Sequence, residues 1–189
     1  MNLPTIRRPA IKRPARWAAL LVGVVVAALA VVLATQVSTD PRADAARSRL
    51  LGKTAPNFSL DDLAGQTVST QGLAGRAVIV NFWNTWCIPC QQELPALQEF
   101  YARHASESDF ALVGIVRDDT TGAVRAYVKA EGIQWTVVLD PKAVAALAFG
   151  TRGQPETFAI SPAGMVVGSQ IGPSTVTHLE TLLAAARDQ

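Results

Sequence analysis

The sequence predicts an α/β sandwich, a mixed central sheet flanked by helices, with an N-terminal hairpin extension and a single transmembrane helix ahead of it. Three observations predict this. Apolar runs of strand length alternate with stretches whose apolar residues recur every three or four positions, as in layered α/β folds. The alternation ends in a hairpin signal and a last helix, which makes the sheet mixed rather than wholly parallel. Eighteen consecutive residues, Trp17 to Ala34, carry no charge.

At about 1.5 Å per helical residue, that run reaches roughly 27 Å, close to the thickness of a bilayer's hydrocarbon core. Arg7, Arg8, Lys12, Arg13 and Arg16 precede it with no acid among them. The positive-inside rule therefore assigns residues 1–16 to the cytoplasm, makes 17–34 a single-pass anchor in the cytoplasmic membrane, and places everything after Ala34 outside. The rest of the chain holds 12 basic and 15 acidic residues, so the formal charge of +2 reflects the short tail and does not suggest nucleic acid. The alternative is a cleaved signal peptide, whose apolar region usually spans about 7–15 residues. This run is longer, and no A-x-A site follows it. Both readings put the remainder where disulfides persist. Residues 35–50, polar and of mixed charge with Pro41, read as a linker, and 51–189 as the folded domain.

Within that domain, Ala55-Pro56-Asn57-Phe58-Ser59-Leu60 is a short extended lead-in, and Gly65 to Thr70 reads as part of a hairpin closed at Gly65. Ala77 to Trp83 is a continuous apolar strand, the pattern of a central strand covered on both faces. The helix that follows extends to about His104, with Leu94, Leu97 and Tyr101 on one face and Pro95 expected to kink it. Phe110 to Val116 is the next buried strand. Thr121 is the expected cap of a helix to Glu131, with Val124, Tyr127 and Val128 inward and Gly132 as its stop. Trp135 to Leu139 is β-rich, and Asp140-Pro141 opens a helix ending by Gly150. Glu156–Ile160 and Met165–Gln170 are strands joined by Ser161-Pro162-Ala163-Gly164. Ser174 to Arg187 is the last helix, with Val176, Leu179, Leu182, Leu183 and Ala186 inward.

The two cysteines, Cys87 and Cys90, lie three residues apart where the central strand gives way to its helix. At a helix start, free backbone N–H groups and the dipole stabilise an anion, so the Cys87 thiol should titrate below the ordinary value of about 8.5 and act as the nucleophile of disulfide exchange. Cys90, one turn inward, would resolve the mixed disulfide. Trp83 and Trp86 are expected to wall the site and leave the outer sulfur accessible. A purely structural bridge is the alternative, but closing so small a loop stabilises little in the chain-entropy model. No metal site is expected, since His104 and His178 show no ligand spacing to the cysteines. With no third thiol, the pair must exchange with other proteins. A second element, Gly153-Gln154-Pro155-Glu156-Thr157-Phe158, precedes a strand; an X-Pro bond there is by itself usually trans.

Ala55-Pro56-Asn57-Phe58, Asn81 through Cys90, Glu93-Leu94-Pro95, and Gly153 through Phe158 together resemble the thioredoxin superfamily. More narrowly, they are similar to its membrane-tethered reductases of the TlpA/ResA/CcmG type, over about Leu51 to Ala185. The resemblance implies a thioredoxin-like fold, a redox-active Cys87–Cys90 disulfide, and a cis Pro155 lying against it. Gln154 would then offer backbone groups to an extended substrate peptide, with Trp86 and Glu156 beside it. Thioredoxin carries a buried Asp behind its cysteines. Asn81 stands here, which cannot take a proton, and the resemblance moves the general-base role for Cys90 to Glu93. The alternative reading of Glu93 is a first-turn acid favoured by the helix dipole, and Glu156 reads as either partner recognition or solvation.

The resemblance implies an extracytoplasmic thiol–disulfide oxidoreductase working as a reductase in cytochrome c maturation. It would act on the heme-binding disulfide of apocytochrome c or on a partner disulfide, be recharged by a membrane donor of the CcdA/DsbD kind, and need no bound cofactor. A general oxidant or isomerase like DsbA is the runner-up, although the interval from Phe110 to the proline loop is too short for the helical insert usual there. A peroxidase is not favoured, because Thr85 lies two residues before Cys87 rather than three. A non-enzymatic copper- or apocytochrome-binding thiol module is the remaining alternative, with no Met or His near the cysteines in sequence to complete a soft site.

Overall fold

The computed structural model describes residues 22–26 and 49–189. Contacts divide the chain into Met1–Asp44 and Ala45–Gln189. In the first unit residues 22–26 are helical. The expected anchor over 17–34 otherwise lies outside the described residues, as do the tail 1–16 and nearly all of the 35–50 linker. Among the described residues, no helix is long and apolar enough to cross a membrane.

The second unit begins with a two-stranded antiparallel hairpin, β1 (Ser59–Asp61) and β2 (Thr67–Ser69). It turns where expected: Gly65 takes φ 83°, and Asp62 Oδ1 accepts from the N–H groups of Ala64 and Gln66. A five-stranded sheet follows, built from β3 (Ala77–Trp83), β4 (Phe110–Val116), β5 (Thr136–Leu139), β6 (Glu156–Ile160) and β7 (Val166–Ile171). Its order is β5-β4-β3-β6-β7. The β3–β4 and β4–β5 pairs are parallel, whereas β6 lies antiparallel to both β3 and β7, giving the expected mixed sheet.

All seven residues of β3 are buried, six of them apolar and the seventh, Asn81, polar. Strand side chains alternate between faces, so Ala77, Ile79, Asn81 and Trp83 face one side and Val78, Val80 and Phe82 the other. The first side carries α1 (Ile88–His104), α2 (Thr121–Glu131) and α4 (Val176–Arg187), joined in one core through Leu94, Leu97, Phe100, Val124, Leu179 and Leu183. The second side carries the N-terminal lead-in and α3 (Val144–Phe149), with Phe58, Phe82, Phe149 and Phe158 packed ring against ring. Both cysteines belong to the first core.

Three helix starts differ from expectation. Thr120, not Thr121, caps α2: its backbone is extended (φ −87°, ψ 140°) and its hydroxyl accepts from Ala123 N. Asp140 does cap α3, but from a distance. Its carboxylate accepts from Val144 N and Ala146 N, so the helix starts at Val144 and Pro141 lies in the preceding turn. The last helix starts at Val176, because Thr175 supplies the cap and Ser174 is turned to another use.

Candidate active site

The C-terminal end of β3 delivers the cysteine pair. Cys87 is the N-cap of α1, in extended conformation (φ −81°, ψ 104°), and its Sγ accepts from the backbone N–H of Cys90 at 3.2 Å. Pro89 falls within the first turn, where its missing N–H leaves nothing unpaired. The pair is oxidised, with an S–S bond of 2.08 Å. Two expectations are corrected here. Cys87 is no more accessible than Cys90, each being 5 % exposed, because both are packed into the core beneath the sheet end. Trp83 does not wall the opening either; it is buried with them. What distinguishes the two sulfurs is therefore position, at the helix start or inside its first turn. The exposed rim is made by Trp86 and Ile88, 60 % and 65 % exposed on either side of Cys87.

Behind Cys90 lies a small cavity of about 10 Å³, lined by Asn81, Trp83, Cys90, Glu93, Tyr127 and Trp135 among others. Glu93 is only 2 % exposed. One oxygen, Oε1, accepts from Asn81 Nδ2 (2.8 Å), and the other, Oε2, from the backbone N–H of Ser174 (2.9 Å). Asn81 gives its second amide hydrogen to Thr157 Oγ1 on β6 (3.0 Å), so β3, α1 and the lead-in to α4 meet at one carboxylate and β6 is tied to it through Asn81. Burial pushes the Glu93 carboxyl up to about 7, against the two hydrogen bonds that pull it down. The reading of Glu93 as a first-turn acid is excluded, since the first turn of α1 holds no acid and Glu93 lies beyond it. A buried carboxyl titrating near neutrality, three residues along the helix from Cys90, has the properties of a proton acceptor for that thiol.

The Gln154–Pro155 bond is cis, as the resemblance implied. Glu156 pairs with Phe82 across β3 and β6, which sets Pro155 level with Trp83 at the sheet end that carries the cysteines. The Pro155 carbonyl is taken by Gly172 N (2.9 Å), while among the described residues no backbone hydrogen bond engages Gln154. Glu156 departs from both readings offered for it. It is 1 % exposed and neither solvated nor placed to touch a partner. Its Oε2 accepts from the backbone N–H of Arg152 (2.9 Å), and burial raises its pKa, opposed by the Arg152 and Gly153 amides and the Arg152 charge. Glu156 thus braces the Arg152–Gly153 turn that leads into the cis proline. The strand-alternation signal, which turns Glu156 inward with Phe82, was the clue to this.

One acid was not anticipated. Asp119, in the loop after β4, accepts from both the backbone N–H and the hydroxyl of Thr85. Nothing near Asp119 in sequence points to the cysteines, 34 residues separating it from Thr85. Among the described residues, no group of three or more His, Cys, Asp or Glu side chains is arranged to hold a metal.

A family model described as AhpC/TSA matches residues 51–169. The chain is 35 % identical over 133 residues to the thiol-disulfide oxidoreductase ResA of Bacillus thuringiensis, an alignment covering 70 % of this chain and 76 % of that protein. Its structure is similar to that of a thioredoxin-family thiol:disulfide interchange protein from Chlorobium tepidum, with a TM-score of 0.64 and 32 % identity over 75 % of this chain and 99 % of the other. It is also similar to the thiol:disulfide interchange protein DsbE from Chlorobium tepidum, with a TM-score of 0.66 and 29 % identity over 72 % and 96 % of the two chains.

Proposed function

The chain belongs to the AhpC/TSA family and is a thiol–disulfide oxidoreductase of thioredoxin-like fold; from that premise we propose that it works as a reductase outside the cytoplasm. The observation that carries the exchange chemistry is the buried Glu93 carboxyl, which lines the same small cavity as Cys90; the similarity to the tethered reductases supports the reducing direction. In the reduced enzyme, the Cys87 thiolate attacks one sulfur of a substrate disulfide. A mixed disulfide forms and one substrate thiolate leaves. Cys90 then gives its proton to Glu93 and attacks Cys87 Sγ, which expels the second substrate thiolate. The substrate disulfide gains two electrons and becomes two thiols, while the enzyme's dithiol becomes the observed Cys87–Cys90 disulfide. The Gln154 backbone, beside cis Pro155, is the docking edge for the substrate chain, and Trp86 and Ile88 supply apolar contact.

The similarity of the cysteine and proline motifs to those of the tethered reductases supports an apocytochrome c heme-binding disulfide, or a dedicated partner disulfide, as substrate. It also supports a membrane donor of the CcdA/DsbD type for recharging the pair. The uncharged run 17–34 behind a basic tail supports a single-pass anchor with the domain 51–189 outside the cytoplasmic membrane. Equilibration with glutathione tests the direction. A reduction potential near or below about −270 mV is expected, whereas one near about −120 mV would mark an oxidant instead. Cys90→Ser should accumulate mixed disulfides with the physiological partners, and recovery of no cytochrome c or cytochrome assembly protein would remove the proposed pathway.

A further inference from the structure

Three hydrogen bonds tie the segment leading into Cys87 to the loop that follows β4. Asp119 Oδ2 accepts from Thr85 N at 2.9 Å and from Thr85 Oγ1 at 2.8 Å, and the carbonyl of Asp118 accepts from Trp86 Nε1 at 3.2 Å. The remaining Asp119 oxygen, Oδ1, accepts from Thr120 N at 2.8 Å, so both carboxylate oxygens are engaged and the side chain is held. From the opposite side, Gln91 Nε2 donates to the Thr85 carbonyl at 2.7 Å. Thr85 is therefore gripped at its N–H, its hydroxyl and its carbonyl. Asp118 takes φ 52°, a left-handed conformation that residues other than glycine adopt seldom and usually under constraint. In that conformation it offers its carbonyl to the Trp86 indole.

We propose that Asp119 is a positioning residue for the exchange reaction. By clamping Thr85 it holds the Thr85–Trp86 segment so that Cys87 keeps its extended N-cap conformation and Trp86 keeps its exposed face beside the sulfur. The geometry that lets Cys87 Sγ receive the Cys90 N–H is the same geometry that would stabilise a thiolate there. It depends on where the preceding peptide unit points. Asp119 fixes that unit from a loop that is remote in sequence and packed against the site by the parallel pairing of β3 with β4.

A carboxylate could also act simply by its charge, and the two roles have opposite signs. Removing a nearby negative charge favours the thiolate and lowers the Cys87 pKa. Removing the clamp withdraws the helix-start donors from the sulfur and raises it. The inference rests on thiol–disulfide exchange at Cys87 but not on its physiological direction. The test is therefore run on the full chain, reduced, with the wild type in parallel. Thiolate absorbance against pH gives the Cys87 pKa, and rates are measured with insulin and with a small aromatic disulfide.

Asp119→Ala, which removes both bonds to Thr85, should raise the Cys87 pKa and slow insulin reduction at least about tenfold, the scale of a single lost hydrogen bond to a charged acceptor. Asp119→Asn, which keeps an acceptor oxygen, should stay within about threefold. Thr85→Ser should match the wild type, while Thr85→Val, retaining only the backbone donor, should fall between. Should Asp119→Ala fail to fold, the two Thr85 variants carry the test, and a Thr85→Val with wild-type pKa and rate overturns the proposal. It is also overturned if Asp119→Ala leaves both readings unchanged, or if Asp119→Ala and Asp119→Asn lower the pKa equally. An inactive wild type would count against the proposed function instead.

Discussion

Glu93 sits where its charge is least welcome, enclosed among β3, α1 and the lead-in to α4 and compensated by two hydrogen bonds. A carboxyl raised from 4.5 to about 7 binds more protons folded than unfolded. Stability therefore falls as pH rises between those values, is greatest below the lower one, and has lost roughly 3 kcal/mol above the upper one. Glu93→Gln should flatten that slope in denaturant titrations of the oxidised protein. It should also slow resolution of the mixed disulfide and remove the inflection near pH 7 from the exchange rate; an unchanged pH profile would end the general-base assignment. Glu156 belongs to the same scale. Glu156→Ala removes the carboxylate that accepts from the Arg152 N–H and should lower stability by about 1–3 kcal/mol. Glu156→Gln, keeping one acceptor oxygen, should cost less. Urea midpoints for the two variants check the difference. The Glu93 partner could not be found by reading the chain, since the Ser174 amide comes from 81 positions away; for Glu156 the alternation with Phe158 and Ile160 in β6 was the signal that it turns inward.

At the scale of single elements, boundaries were hardest to read where two residues compete for one job. Thr120 and Thr121 are equally good caps by type, and only the extended backbone at Thr120 settles the choice. Thr120→Ala should lower stability by about 1 kcal/mol and Thr121→Ala by less than about 0.5, as measured by chemical unfolding. The start of α3 was misplaced for a related reason. Asp140 reaches four and six residues ahead, a capping distance that no local pattern announces. By contrast, β3 was legible end to end, because six of its seven residues are apolar and both of its faces are buried; Asn81 is the single polar position. Gly114 on β4 shows how tightly its surroundings are set. A Cβ there would stand 2.6 Å from Trp83 Nε1 and 3.2 Å from Trp135 Nε1. Gly114→Ala should accordingly destabilise the domain by about 1–3 kcal/mol through overpacking and displace Trp83, visible as a change in near-ultraviolet circular dichroism.

Across the whole molecule, the mixed sheet was legible because it follows from the order of apolar runs, and the site because its cysteine and proline motifs are compact in sequence. What escaped was the bracing between distant loops, which exists only after the sheet has set its register. The sheet also separates two kinds of change: one core contains the cysteines, and the other is built from the lead-in, β1, β2 and α3. The polypeptide joins that second core at the far end of the strands. Gly52 and Lys53 bond to Val166, and Ala55 to Gly164, beside the end of β6 where Ile160 pairs with Val78. Cys87 follows the opposite end of β3, about 20 Å away at some 3.3 Å per strand residue. Within the domain, chain entry and the reactive pair therefore lie at opposite ends of the sheet. Fixed to an electrode or a bead through its N-terminal side, the domain should present the dithiol outward to solution and exchange at the rate of the free protein.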